Sequence, residues 1–285
     1  MKHRAKEQES AGAARIHCVY FTCDKHFAAL RLSLKSLARL GLPFLGRIYL
    51  YVDKDDFLAR AHTDALCKMG LDVVARKCNR VTGWGESAVG VETRAFAELS
   101  SEIGPDDYLA KLDSDVIFVS DQTFRDVLKS GKDLFGQLVD YWEPAVFFQG
   151  GCYFIRGALL SEFRNFDMSV LPRTMAALSN ETARARQRFL KDSCPDEAAV
   201  YFFLKDKTER IALTDFMVSP YDMFTLTKPV TTIHYVRSRA KMNAFELFKA
   251  TRIRGALMKT GVVGRQAVAL WRAFKAPFRR LRKAA

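Results

Sequence analysis

Two aspartates separated by one small residue, Asp113-Ser114-Asp115, form the part of the sequence best suited to chemistry. In an extended segment residues i and i+2 point to the same side, so both carboxylates can reach one hydrated cation. Mg²⁺ and Mn²⁺ favour such oxygen ligands, which substrate phosphates often complete. The apolar run Tyr108–Leu112 directly precedes the triplet and predicts a strand that would deliver both acids from a rigid element. A solvated turn at a strand end is the alternative interpretation.

Two further pairs of residues downstream are candidates for chemistry. Gly150-Gly151 precedes an apolar run, which predicts either a bulge entering a strand or a backbone that a ligand approaches closely. Asp196 and Glu197 follow Pro195 at a predicted helix start, where acidic residues complement the helix dipole and cap amides. Each pair therefore has a structural alternative to its functional interpretation.

Strands and helices alternate through the first part of the chain. The predicted strands are Ile16–Thr22, 47–53, 71–75 and Tyr108–Leu112, and the predicted helices begin at Phe27 and end at Gly41, then cover about 57–69 and 88–103. This alternation predicts an open, mostly parallel α/β sheet with helices on both faces. Ligands on such sheets bind outside the carboxyl ends of the strands, and the acidic triplet lies at one such end.

The pattern becomes less regular after Ser120. Predicted strands cover 134–139, 152–155, 211–216 and 231–235, and predicted helices cover 172–191 and 196–204. We predict a polar extension (1–15), a catalytic domain (16–236) and a basic tail (237–285). Within the domain, 16–120 is the predicted nucleotide-binding half and 121–236 the predicted acceptor-binding half.

The composition is that of a folded, non-membrane-spanning protein. Hydrophobic residues make up 49% of the 285 residues, which is enough for a sizeable core. The first 14 residues are polar and lack the apolar stretch of a secretory signal, and no run approaches about 18 apolar residues. The six cysteines form no Cys-x-x-Cys pair, so we expect reduced, mostly buried thiols in a cytosolic protein.

Around the acidic triplet and in three later segments, the chain resembles the glycosyltransferases of the GT-A fold. The resemblance rests on the run 108–119 with its Asp-x-Asp motif, followed in order by 149–155, 195–197 and 233–235. It implies a GT-A-like open mixed sheet and a metal set of Asp113, Asp115 and His234, with Asp113 turned toward the donor ribose. It also implies Mn²⁺ or Mg²⁺ and a nucleotide-sugar donor, with a UDP-sugar favoured.

The resemblance further suggests residues that contact the donor or the acceptor. The predicted donor-binding residues, besides Asp113, are Thr22, Arg94, Lys111, Ser114, Gly150 and Gly151. Arg94 or Lys111 could meet a phosphate of the donor, and a solvated or snorkelling side chain is the alternative interpretation for each. Asp196 or Glu197 would be the base in an inverting reaction, as in fringe-like enzymes with the same order of segments. This order of segments favours inversion, but retaining GT-A families also use a late histidine, so the stereochemistry is open.

The net charge of +13 belongs to the C-terminal tail. Residues 237–285 hold 14 Lys/Arg and one acidic residue, which leaves 31 charges of each sign in the rest of the chain. The end of the tail has helical apolar spacing through Leu270, Trp271, Phe274, Phe278 and Leu281. A basic amphipathic helix with Trp and Phe is typical of an interfacial membrane binder, although Pro277 would kink it. A solubilising terminus packed on the domain is the alternative, and the neutral body argues against nucleic acid.

The sequence thus predicts a metal-dependent glycosyltransferase on the cytoplasmic face of a membrane. It would transfer a sugar to a glycan or lipid-linked acceptor, in cell-surface polysaccharide or lipopolysaccharide synthesis. One rival is a nucleotidyltransferase that makes nucleotide-sugars. Such an enzyme needs a glycine-rich phosphate loop after the first strand, and residues 22–26 contain no glycine. The other rival is a non-catalytic membrane-surface adaptor that uses the basic tail.

Overall fold

The computed structural model of the chain describes residues 14–79, 86–139, 147–166, 208–214, 216–218 and 231–234. The strands are β1 Ile16–Thr22, β2 Leu45–Asp53, β3 Val73–Cys78, β4 Tyr108–Leu112, β5 Val116–Phe118, β6 Leu134–Val139, β7 Phe147–Arg156, β8 Ile211–Thr214, β9 Met217–Val218 and β10 Thr232–His234. The helices are α1 Phe27–Leu40, α2 Arg60–Cys67, α3 Glu86–Leu99, α4 Gln122–Ser130 and α5 Gly157–Leu160. Short 3₁₀ turns cover Asp24–His26, Ser161–Asn165 and Thr208–Arg210.

Seven strands form one mixed sheet in the order β3-β2-β1-β4-β7-β6-β8. The four strands β3, β2, β1 and β4 run parallel, and β7 lies antiparallel to both β4 and β6. Because β1 and β4 are parallel neighbours with Tyr20 opposite Leu112, their carboxyl ends meet at the same edge. This architecture confirms the predicted open mixed sheet flanked by helices.

The buried residues explain why these elements form. All five residues of β4 are buried, as expected for a central strand with packed helices on both faces. Phe27, Leu30, Leu34 and Leu37 of α1 are buried on one helical face. The helix ends at Gly41, whose φ of 57° is a left-handed conformation that glycine adopts without steric cost. The core therefore holds β4, and the residues that follow it, in a fixed place.

A second, three-stranded sheet has the order β5-β10-β9. β5 begins immediately after the acidic triplet. β10 pairs with β5 in the antiparallel sense, so that His234 lies opposite Val116. The Val119 amide donates to the carbonyl oxygen of Thr231 at 2.8 Å, and Thr123 Oγ1 donates to Thr231 Oγ1 at 2.8 Å. This pairing brings a histidine from late in the chain to the carboxyl end of β4.

The predicted elements differ from the structure in several places. β1, β4 and β6 have the predicted bounds, whereas β3 lies later than predicted and β7 is longer. α2 begins at Arg60 rather than 57, and the amide of Ala59 just before it donates to Asp24 in the 3₁₀ turn after β1. α4, β5 and β9 were not predicted, whereas β10 lies within the predicted strand 231–235. The segments 82–85, 172–191 and 196–204 lie outside the described residues, as does the tail.

Two global properties of the described residues bear on the sequence predictions. No described helix is both long enough and apolar enough to cross a membrane. The five cysteines in the described part are free thiols, of which Cys18, Cys23 and Cys152 are buried. The division into nucleotide-binding and acceptor-binding halves stays a prediction.

Candidate metal centre

Asp113, Asp115 and His234 gather at the carboxyl end of β4. One ligand atom from each lies within 4.8 Å of the other two. His234 Nε2 is 3.3 Å from Asp113 Oδ2 and 3.3 Å from Asp115 Oδ1. The two acids come from the turn between β4 and β5, and the histidine comes from β10. The structure therefore assembles the three residues that the resemblance had proposed as metal ligands, and their binding of a metal stays a prediction.

The donor set and its spacing fit a small divalent cation. The two carboxylate oxygens suit Mn²⁺ or Mg²⁺, and of these two ions the softer Mn²⁺ accepts an imidazole nitrogen more readily. Adjacent ligands of an octahedral ion at about 2.1 Å lie about 3.0 Å apart, close to the observed separations. The side chains of Asp113 and Asp115 are 41% and 35% exposed, whereas that of His234 is 8% exposed. The histidine thus closes the back of the site, and the acids open toward solvent, where substrate phosphates would complete the ligand shell.

The electrostatics of the cluster favour positive charge next to the two acids. Burial disfavours a charged imidazole, but hydrogen bonds to Asp113 and Asp115 outweigh burial and raise the pKa of His234 to about 9. Partial burial likewise opposes the charge on Asp113, yet the neighbouring Lys111 and His234 hold the pKa of that carboxyl well below its usual range. Asp113 is therefore ionised at neutral pH and available to a metal.

Gly151 is required by the position of His234. A Cβ atom on Gly151 would lie 2.1 Å from Cε1 and 2.3 Å from Nδ1 of the imidazole ring, far inside van der Waals contact. Opposite this stretch of β7, the β6–β7 pairing shifts register between Gly136 and Leu138, so the glycine pair lies at an irregularity inside β7 rather than at the entry to a strand. The glycine makes room for a protein side chain, and its predicted role toward the sugar donor stays a prediction.

Ser114 and Thr22 join the ends of two neighbouring strands. Ser114 Oγ donates to Thr22 Oγ1 at 3.0 Å, and Thr22 is buried at the end of β1. The small residue between the two acids thus points toward β1, while the acids turn toward His234. Both hydroxyls lie beside the acidic triplet, and their predicted contact with the donor stays a prediction.

Lys111 lies behind the acidic triplet. Its side chain is 5% exposed, and its Nζ lies 2.9 Å from Asp113 Oδ1 and 2.9 Å from the carbonyl oxygen of Gly150. The ammonium group of Lys111 is therefore already hydrogen-bonded inside the protein, and it would have to give up these partners to contact a donor phosphate as predicted.

Arg94 has a different setting on the same edge of the sheet. It is exposed on α3 and lines a cavity of about 390 Å³ at the carboxyl ends of β2 and β3. Lys54 and Lys77 line the same cavity, so three cations face this space. Neither lysine was predicted as a donor contact, although Lys54 directly follows β2 and Lys77 is the penultimate residue of β3. Asp196 and Glu197 lie outside the described residues.

The fold has clear likenesses among solved structures. No protein-family description matches the chain, and no curated protein sequence does. The structure is similar to the galactosyltransferase LgtC in complex with donor and acceptor sugar analogs, at 15% identity over 84% of this chain and 95% of that chain, with a TM-score of 0.55. It is also similar to mouse xyloside xylosyltransferase 1, at 12% identity over 79% and 98% of the two chains and a TM-score of 0.51.

The glycosyltransferase GlyE of Streptococcus pneumoniae gives a further likeness. It is 15% identical over 82% of this chain and 60% of that chain, with a TM-score of 0.50. At such identities the comparisons concern the fold, and they confirm the predicted GT-A fold. The activity of this chain is a separate question that depends on its own site residues.

Proposed function

We propose that this protein is a metal-dependent glycosyltransferase that moves a sugar from a nucleotide-diphosphate donor to a hydroxyl acceptor. The observation that carries the proposal is the cluster of Asp113, Asp115 and His234 at the carboxyl end of β4 in a GT-A fold. Ligands of open α/β sheets bind at this edge. The exposed cations around the neighbouring cavity add charge that suits an anionic donor.

The reaction exchanges one bond of the sugar's anomeric carbon for another. The bond to the diphosphate oxygen breaks, the bond to the acceptor oxygen forms, and the acceptor's proton leaves to a base. A bound divalent cation would offset the charge that develops on the departing diphosphate. Asp115 and His234 would hold that cation, and Asp113 would face both the cation and the donor ribose. In an inverting reaction, Asp196 or Glu197 would take the proton.

Several finer features are part of the same proposal. We favour a UDP-sugar with Mn²⁺ or Mg²⁺, and a glycan or lipid-linked acceptor used in cell-surface polysaccharide or lipopolysaccharide synthesis. The 14 bases of residues 237–285 support attachment to an anionic membrane on its cytoplasmic face. Vesicle sedimentation tests this part: deletion of residues 240–285 is expected to abolish binding to anionic vesicles. Unchanged binding would refute the attachment.

Substitution of Asp115 tests the enzymatic proposal. In the unmodified protein we expect Mn²⁺-dependent release of UDP from at least one UDP-sugar in a donor screen. Loss of a metal ligand removes several kcal/mol of charge stabilisation, so Asp115→Ala is expected to lower turnover on the order of 10³-fold. Asp64→Ala, at an exposed aspartate of α2, is the matched control and is expected to keep full activity.

Three other results would argue against the proposal or for one of the rival functions. Full activity of Asp115→Ala would refute the metal site. Calorimetry that detects no nucleotide binding with Mn²⁺ would favour the adaptor. Release of pyrophosphate from a nucleoside triphosphate and a sugar phosphate would favour the nucleotidyltransferase. Against that rival, the 3₁₀ turn after β1 is held by the Asp24–His62 contact of 2.7 Å and is not a glycine-rich loop.

A further inference from the structure

Lys111 is a buried lysine beside the metal centre. It lies on the central strand β4 with its side chain 5% exposed, and a buried ammonium group is costly unless it is paired and hydrogen-bonded. Its Nζ lies 2.9 Å from Asp113 Oδ1, 2.9 Å from the Gly150 carbonyl oxygen and 3.9 Å from Glu92 Oε1. The ring centroid of Tyr153 is 5.8 Å away. These partners fix the direction of the ammonium group from several sides.

The two oxygens of Asp113 consequently have different partners. Oδ1 accepts the hydrogen bond from Lys111, and Oδ2 faces His234 Nε2 at 3.3 Å. The terminal torsion of an aspartate has broad preferences, so a hydrogen bond to one oxygen selects one rotation. We propose that Lys111 is a positioning residue that presents a single oxygen of Asp113, Oδ2, to the cation held with Asp115 and His234. This inference rests on the proposed function.

Lys111 also ties the acidic triplet to the strand that makes room for the histidine. Besides the Lys111 bond to the Gly150 carbonyl, the Asp113 amide donates to the Gly151 carbonyl at 2.8 Å. Gly151 is the residue whose missing side chain makes room for His234. The Lys111 ammonium group and the Asp113 amide therefore both link the acidic triplet to β7.

The burial of Lys111 separates this role from direct donor binding. An ammonium group has three donors, and two are used at 2.9 Å on Asp113 and Gly150. A phosphate ligand needs a donor that faces the open side of the site, and the open side is formed by the carboxylates. Lys111 thus acts on the donor through Asp113.

Two variants test the inference with the full-length protein. Lys111→Met removes the ammonium group at similar side-chain length, and Lys111→Met combined with Glu92→Gln also removes the charge of the buried carboxylate that faces it. Lys35→Met, at an exposed lysine of α1, is the matched control. Thermal melting verifies folding, electron paramagnetic resonance of bound Mn²⁺ reports the ligand geometry, and donor hydrolysis gives kcat and KM.

A positioning role predicts a specific combination of results. Both variants are expected to bind Mn²⁺ with an altered spectrum and to lose about 10- to 100-fold in kcat, the usual effect of losing a partner of a metal ligand. The donor KM is expected to change by less than about threefold, and Lys35→Met to match the unmodified protein. A raised KM with unchanged kcat would instead make Lys111 a donor ligand and overturn the proposal. An unchanged spectrum with unchanged kcat would overturn it as well.

The spectroscopic measurement keeps this inference separate from the proposed function. If the unmodified protein binds Mn²⁺ but hydrolyses no nucleotide-sugar, the glycosyltransferase proposal fails. The Mn²⁺ spectra of the unmodified protein and the Lys111 variants still differ if Lys111 positions Asp113, and still coincide if it does not.

Discussion

The structure buries one histidine near each end of the parallel strands, and each histidine lies beside an acid. His17 stands near the amino end of β1 with 8% exposure, and its Nε2 lies 3.7 Å from Asp107 Oδ2. His234 stands at the carboxyl end of β4, where the whole residue is 7% exposed, and its Nε2 lies 3.3 Å from each of two aspartates. The similar burial makes the two sites a natural comparison of how an environment decides the charge of an imidazole.

The outcome at the two sites is opposite. At His17 burial is the largest influence and lowers the pKa of the imidazole, against the partial opposition of Asp107. Its Nδ1 accepts the Arg47 amide hydrogen bond at 3.1 Å. At His234 the two aspartates outweigh burial, and among the described residues its Nδ1 has no hydrogen-bond partner. His17, a neutral histidine in a backbone hydrogen bond, has a structural role. His234, which lies between two carboxylates, marks a place for positive charge.

The acids provide the strongest test of this contrast. Asp113→Asn is expected to reduce Mn²⁺-dependent turnover by about 10²- to 10³-fold, because a neutral amide offers no negative charge to the cation or to Lys111. Asp107→Asn is expected to leave turnover within about twofold and to cost about 1 kcal/mol or less, since its amide oxygen still accepts the Arg15 amide bond seen at 2.7 Å. Donor hydrolysis and urea unfolding measure the two effects. Equal losses of turnover in both variants would remove the distinction between the two ends.

The histidines themselves give the next largest effect. His234→Gln is expected to weaken Mn²⁺ binding by at least about tenfold, because it removes one of three ligands. His17→Gln is expected to leave Mn²⁺ affinity unchanged, because His17 lies near the amino end of β1, at the edge of the sheet opposite the metal centre. Calorimetric titration with Mn²⁺ alone measures both affinities. Unweakened Mn²⁺ binding by His234→Gln would exclude His234 from the metal shell.

The sequence predicted the acids better than it predicted their partners. The apolar run 108–112 and the triplet after it are local features, so the bounds of β4 and the position of Asp113 and Asp115 followed directly. The arrival of His234 depends on the pairing of β5 with β10, two strands of three residues separated by more than a hundred positions. Such short runs carry little information about register, and only the resemblance to GT-A enzymes pointed to this histidine.

Lys111 and Gly151 show a second limit of sequence reasoning. Lys111 was predicted as a phosphate contact because its charge is visible in the sequence, whereas its burial is set by α3 and β7 packing around β4. The Gly150-Gly151 pair was assigned a bulge or a ligand approach. That a histidine from another sheet fills the space beside Gly151 depends on the three-dimensional arrangement and has no local signal.

Each histidine also lies against a glycine, which gives a smaller test. Cβ atoms added to Gly46 and Gly151 would lie 2.7 Å and 2.1 Å from Cε1 of His17 and His234 respectively. Both Gly→Ala variants are expected to lose about 1–3 kcal/mol of unfolding free energy through overpacking. Only Gly151→Ala is expected to weaken Mn²⁺ binding, by roughly tenfold, because it displaces a metal ligand. Urea unfolding and Mn²⁺ calorimetry measure the two properties, and Mn²⁺ binding that falls equally in Gly46→Ala would contradict the comparison.

The smallest expected effect is a pH dependence of stability at His17. Because the folded pKa of His17 is lowered from 6.5, the unfolded chain binds more protons as the pH falls through 6.5. The contribution of His17 to stability is therefore fully present above that pH and is lost progressively below it. Asp107, Arg15 and Arg47 are the charged groups that act on this imidazole, and burial outweighs them.

The urea midpoint should accordingly fall less between pH 7.5 and pH 5.5 in His17→Gln than in the unmodified protein, when both are measured in EDTA to keep metal out of the comparison. The glutamine variant is the appropriate partner because its side chain retains an amide oxygen for the Arg47 hydrogen bond but does not titrate in this range. Identical pH slopes in the two proteins would mean that His17 takes up a proton as easily when folded as when unfolded. Burial would then not be what separates it from His234, and the contrast between the two ends would rest on the aspartates alone.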